Sequence, residues 1–130
     1  MNTATSVPES VVRKHLQAFL ELQGVPAIVA DYAENARLFT EAGIYHGKTE
    51  IAGFFTDFIS ALPANGIERL SLRGLRVDQD VALLTWCIGS DITLGADTFV
   101  VADGKIVSQT FAMQAAPVPA DSADRVAAAA

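Results

Sequence analysis

The stretch Gly95-Ala96-Asp97-Thr98-Phe99-Val100-Val101-Ala102-Asp103-Gly104-Lys105-Ile106-Val107 decides how this chain is read. Asp103-Gly104 is a tight turn, because Gly accepts the positive φ of a short connection, and the β-branched residues around it predict two antiparallel strands. Side chains alternate along a strand, so Asp97 shares a face with Phe99 and Val101. A carboxylate aimed at an apolar interior is costly unless it is paired, hydrogen-bonded or protonated. Those are also the conditions under which carboxylates do chemistry, so the hairpin predicts a pocket as well as a fold.

The neighbouring segments extend the sheet. The second strand runs on through Gln109, Thr110, Phe111, Ala112 and Met113. From Glu68 the chain reads as consecutive antiparallel strands, with Leu70 and Leu72 on one parity and Leu75 and Val77 on the other. The slip falls at Gly74, where a β-bulge is expected. Asp78-Gln79-Asp80 is the next turn, and Val81 to Ile88 follows, apolar in both parities. A strand covered on both faces fits a sheet with helices on its concave side and a second copy of itself on the other. Whether Trp86, with Leu84 and Ile88, faces the core or that partner is left open by periodicity.

The helices come first in the chain. Pro8, with Glu9 in the first turn, opens a helix whose stripe of Val12, Leu16 and Phe19 ends at Gly24. His15 lies in this stripe, either as a hydrogen-bonded core histidine or as a pocket-facing proton donor or acceptor. A short second helix is expected from Pro26 through Tyr32, whose hydroxyl needs a partner if buried, in the backbone or in a ligand. Ala36 to Glu41 alternates as a short strand and Ala42-Gly43 turns it. A third helix after His46-Gly47-Lys48 carries Ile51, Phe54, Phe55, Phe58, Ile59 and Leu62, and Pro63 to Gly66 ends it. Its aromatics serve the core and can wall a cavity as well. The sum is an α+β fold: a roll of three N-terminal helices packed on a curved, mainly antiparallel sheet. Residues 1–7 are expected to form a flexible start, 8–114 a single domain, and 115–130 a disordered Ala/Pro-rich tail.

Composition narrows the partners. The chain has 130 residues, 51% of them hydrophobic, a net charge of −6 and no basic cluster, which argues against nucleic acid or an anionic membrane as the main partner. The single cysteine, Cys87, excludes an internal disulfide framework and reads as an inert core thiol. No Cys/His spacing suggests a metal. The opening carries no basic, apolar leader and no segment is long enough to span a bilayer, so a cytoplasmic location is expected. Asp80 and Asp91 sit near turns, where Asp is ordinary. His46 reads as exposed loop and Tyr45 as a residue at the pocket mouth.

The order helix, short helix, strand, Gly-containing turn, Ile51-Ala52-Gly53-Phe54-Phe55 helix and four-stranded meander closing with Asp103-Gly104-Lys105-Ile106-Val107 resembles the nuclear transport factor 2-like superfamily, in particular its SnoaL-like and ketosteroid-isomerase-like members. The resemblance covers roughly residues 8 to 114. It implies a conical, cystatin-like α+β roll with a deep apolar pocket and a homodimer through the sheet; fold alone does not choose among isomerases, cyclases, hydrolases and binding proteins. On the isomerase pattern, the catalytic tyrosine falls on His15 and the protonated oxyanion-hole aspartate on Asp97, the latter a worked case of a carboxylic acid kept neutral by an apolar site. The general-base position falls on Thr40, which has no carboxylate. On the epoxide hydrolase pattern, the Arg-x-Asp pair falls on Trp86 and Ile88 and the second aspartate on Phe111. What survives is an acid–base pair, Asp97 and His15, acting without cofactor or metal on a small hydrophobic molecule held by Tyr32, Thr40, Phe54, Phe58, Phe99, Phe111 and Met113. The alternative is a non-catalytic binding module in which Asp97 orients a ligand, accepts backbone N–H groups or braces His15.

Overall fold

A computed structural model describes residues 6–115. The expected mobile start and tail fall outside the described residues for 1–5 and 116–130. Ser6 is the N-cap of α1 (Val7–Leu20), its hydroxyl accepting from the Glu9 amide at 3.2 Å with Pro8 in the first turn. The first turn therefore has a side-chain acceptor for one of its free donors. α1 buries Val12, His15, Ala18 and Phe19, one stripe of its surface. α2 (Val25–Val29) is a single short turn entered from Gly24 at φ 96°.

The second helix ends sooner than expected, and Tyr32 is not in it. Tyr32 opens the strand β1 (Tyr32–Thr40). Three contacts turn the chain there: the Ile106 amide donates to the Asp31 carbonyl at 2.8 Å, the Lys105 ammonium to the Ala30 carbonyl at 3.0 Å, and Lys14 pairs with Asp31 at 3.5 Å. The strand starts earlier than the expected Ala36 because Tyr32 already pairs with Ile106, while Glu34 and Asn35 fall in the irregular stretch before pairing resumes at Arg37, and it ends at Thr40. A further strand, β2 (Gly43–His46), pairs with it antiparallel across a two-residue turn of Glu41 and Ala42, one residue earlier than the expected Ala42-Gly43, because Gly43 already pairs with Thr40. Its four residues carry too short a pattern to stand out in the sequence.

α3 (Gly47–Ala61) follows, then β3 (Leu70–Asp78), β4 (Val81–Ile88), β5 (Ile92–Ala102) and β6 (Lys105–Ala115). The six strands form one sheet in the order β2-β1-β6-β5-β4-β3, antiparallel except for the parallel pair β1 and β6. Asp103 and Gly104 both have positive φ, 52° and 76°, the two-residue turn type whose twist suits a hairpin. The register of β3 against β4 shifts between Leu72 and Gly74, the bulge anticipated there.

Alternation assigns the two faces of the sheet. Ala82, Leu84, Trp86 and Ile88 are buried under the helices while Val81 and Leu83 are exposed, so Trp86 belongs to the core. On the concave face Leu38, Gln109, Phe99 and Ala82 pair across four strands in one row, with Phe111, Asp97, Leu84 and Leu75 in the next. On the convex face the row reads Ile44, Phe39, Thr110, Thr98, Leu83 and Arg76, and no helix of the described residues covers it. No helix of the described residues is long and apolar enough to cross a membrane.

Candidate functional site

Asp97 is buried in the concave face between Phe99 and Gly95, as its strand parity requires. Both oxygens are held by side chains. Trp86 Nε1–H donates to Oδ1 at 2.8 Å and Gln109 Nε2–H to Oδ2 at 2.7 Å. The sequence reading expected backbone amides or His15 in this role. Neither is used, because in a regular ladder the strand amides are spent on pairing and the nearest free donors are the inward side chains of β4 and β6. Gln109 accepts in turn from the hydroxyl of the fully buried Tyr32. A chain of donors thus runs Tyr32 to Gln109 to Asp97, met from the other side by Trp86.

His15 approaches from α1. Its Nδ1 lies 3.3 Å from the Ile28 carbonyl, which can only accept, so Nδ1 carries the proton and Nε2 has a free lone pair. Nε2 has no protein partner among the described residues. Aromatic edges hold the ring, with centroids 5.3 Å from Tyr32 and 5.5 Å from Phe99. Burial lowers its pKa to about 4, against the Ile28 hydrogen bond and the Asp31 charge, both of which favour the cation. It is neutral at pH 7. Burial moves Asp97 the other way, to about 6, against the hydrogen bonds from Trp86 and Gln109 that favour its anion. Burial, and then the charges of Asp97 and Asp31, raise Tyr32 well above its usual range, so it stays a donor.

Asp97 and His15 do not bond each other, yet both line one cavity between α1, α3 and the sheet, walled by Phe19, Phe55, Phe58, Phe99, Trp86 and Phe111. Its volume is about 40 Å³. That is room for a few waters and no more. The proposed ligand-contacting residues therefore divide. Phe58, Phe99 and Phe111 line this cavity; Thr40, Phe54 and Met113 line a separate open cleft of about 240 Å³ that shares only Phe111 with it. Tyr32 lines neither and acts through Gln109. Thr40 is far from free: its hydroxyl donates to the Gly43 carbonyl at 3.0 Å and accepts from the Ala42 and Gly43 amides, locking the β1–β2 turn. Trp86 and Gln109, the two donors to Asp97, were not named as site residues. The parity of Gln109 with Phe111 and Met113 was the available signal, but a lone glutamine in an apolar strand points to a partner only once the register is known.

Gly95 explains how Trp86 reaches Asp97. The two glycine-flanking strands place Gly95 directly opposite Trp86, and a Cβ built on Gly95 would overlap the six-membered ring of the indole. The bare backbone lets the ring lie flat on β5 with Nε1 aimed at the carboxylate two residues along.

Compared by sequence, the chain matches no protein-family model and no curated protein. Compared by structure, it matches a SnoaL-like protein of Burkholderia thailandensis E264 at a TM-score of 0.68, with 13% identity over 87% of this chain and 99% of that one. A ketosteroid isomerase candidate from Kribbella flavida DSM 17836 gives 0.66, with 20% identity over 90% of this chain and 84% of that one. A polyketide cyclase candidate from Sinorhizobium meliloti gives 0.66, with 16% identity over 79% and 94%. This likeness shows the fold: three helices on a curved, mostly antiparallel sheet, the α+β cone of nuclear transport factor 2-like proteins.

Two outcomes are expected. Between about pH 4 and 6 the native state keeps a proton on Asp97 that the unfolded chain releases, so this group lowers stability as pH rises. Between about pH 4 and 6.5 His15 does the reverse, since the unfolded chain binds the proton that the native ring refuses. Each shift is worth on the order of 3 kcal/mol, and the two nearly cancel. In urea titrations from pH 4 to 6.5, His15→Gln should lose stability with rising pH and Asp97→Asn should gain it, while the wild type stays flat; parallel slopes in all three would refute the assignment. Gly95→Ala should cost about 1–3 kcal/mol and, by lifting Nε1 away, raise the Asp97 pKa further, read as the carboxylic C=O band in an infrared pH titration.

Proposed function

We propose that the chain binds a small, uncharged, apolar molecule carrying one hydroxyl or carbonyl oxygen, and that Asp97 and His15 meet that oxygen and its neighbouring carbon to move a proton. One observation carries this: a carboxylic acid poised near pH 6 on the sheet and a neutral imidazole on α1 line the same aromatic-walled cavity. Asp97 in its acid form gives a proton to a carbonyl oxygen while His15 Nε2 takes one from the adjacent carbon, and the return of both protons leaves the protein unchanged. That balance describes a cofactor-independent isomerase, cyclase or lyase. The structural likeness to an isomerase candidate and a cyclase candidate supports the class. Thr40 takes no part in this scheme, since its hydroxyl is held in the turn.

A second reading has its own support. Both oxygens of Asp97 already accept hydrogen bonds and the cavity is small, which suits a non-catalytic module where the acid only orients what binds. A panel of hydrophobic ketones and phenols separates the two. For catalysis, wild type should turn over at least one ketone and Asp97→Asn should lose about 10²–10⁴-fold in rate. Binding without turnover, weakened by the same substitution, selects the module; affinity and rate both unaffected would remove Asp97 from any role.

We propose further that a second copy covers the convex face of the sheet, where Ile44, Val81, Leu83 and Leu94 are exposed and no helix of the described residues packs. Sedimentation equilibrium should give a dimer for the wild type and a monomer for Leu83→Lys. A monomeric wild type would cancel the pairing.

A further inference from the structure

The cavity that holds Asp97 is too small for any ring. An engineered cavity that takes benzene measures about 150 Å³, several times the space here. The open cleft beside it supplies what is missing. Together they approach the lower end of the about 300–1,000 Å³ span of small-molecule sites. Their common wall is one side chain, Phe111, directly opposite Asp97 in the sheet register. The inward positions of β6 run outward from Gln109, 1% exposed, through half-buried Phe111 to Met113, 40% exposed. Phe111 touches Phe54 and Phe58 edge-on, each at 5.3 Å between centroids, contacts that a turn of its ring can exchange without moving backbone.

We infer that the cleft of Thr40, Tyr45, Phe54 and Met113 is the outer half of the ligand site, and that Phe111 is the partition a ligand displaces to reach Asp97. This rests on the pocket reading above and narrows its ligand class: an uncharged molecule long enough to fill both halves, with its oxygen at the inner end. Among the described residues no lysine or arginine lines either half to answer an anionic group, and Glu41 at the rim opposes one. The ligand is uncharged. Phe19 also borders a cleft on the far side, between α1, α2 and α3. That cleft has no strand residue in its lining, and Phe19 is buried between Phe55 and Phe58, so it is the poorer entrance.

Trp86, the single tryptophan, lines the inner cavity and reports access to it. The probes are acrylamide, as a quencher of Trp86, and 2-naphthol, as a ligand. In a Cys87→Ser background, Met113→Cys alkylated with N-benzylmaleimide blocks the outer cleft, and Ile59→Cys treated alike blocks the alternative. The first adduct should lower 2-naphthol affinity by about tenfold or more and halve the quenching of Trp86; the second should change neither. Wild type should bind 6-hydroxy-2-naphthoate at least about tenfold more weakly than 2-naphthol. The partition is overturned if the adduct at 113 leaves quenching unchanged or the adduct at 59 reduces it. Equal binding of the naphthoate overturns the ligand class. Should unmodified protein bind no 2-naphthol, the pocket reading and its ligand class fall together, while the quenching comparison still decides where the cavity opens.

Discussion

The structure depends on one carboxylate kept out of water by aromatic neighbours and held by two side-chain donors. Burying Asp97 costs free energy that Trp86 and Gln109 only partly offset, which is why its pKa is raised despite two hydrogen bonds. Everything nearby is arranged to keep those donors in place. Gly95 seats the indole, Tyr32 fixes the amide of Gln109 so that its N–H₂ and not its oxygen meets the carboxylate, and the strand register brings β4, β5 and β6 together at this point.

His15 is the counterpart of the same environment. The burial that favours neutral Asp97 also favours neutral imidazole, so the two groups shift toward each other on the pH scale without touching. Near pH 5 the site holds a neutral acid and a neutral base, a combination that free aspartate and histidine do not provide in water. The apolar surroundings thus select the uncharged form of both groups.

Much of the fold was legible in the sequence because local signals agreed with one another. Asp103-Gly104 announced the hairpin, Gly74 the bulge, and the Phe54, Phe55 and Phe58 spacing the third helix. What failed to show were features fixed by distant partners. Tyr32 looked helical after Ile28 and Val29, and only its pairing with Ile106 makes it a strand residue. The site was legible in half: parity revealed Asp97 as buried, but its donors come from strands whose register no local pattern prints. The same limit made Thr40 and Met113 appear to belong with Asp97, whereas Phe111 stands between them.

The parallel pairing of β1 with β6 carries a consequence for how the chain acquires this shape. Among the described strands β1 comes first in the chain and its inner neighbour β6 last, so the β2-β1 piece joins β5-β4-β3 only once residues 105–115 have paired. Until then Tyr32 lacks Gln109, Asp97 lacks one donor, and both β1 and β5 present bare edges. Closure of the last strand completes the sheet and the acid's surroundings in a single late event, with the long loop closure that slows folding of such topologies.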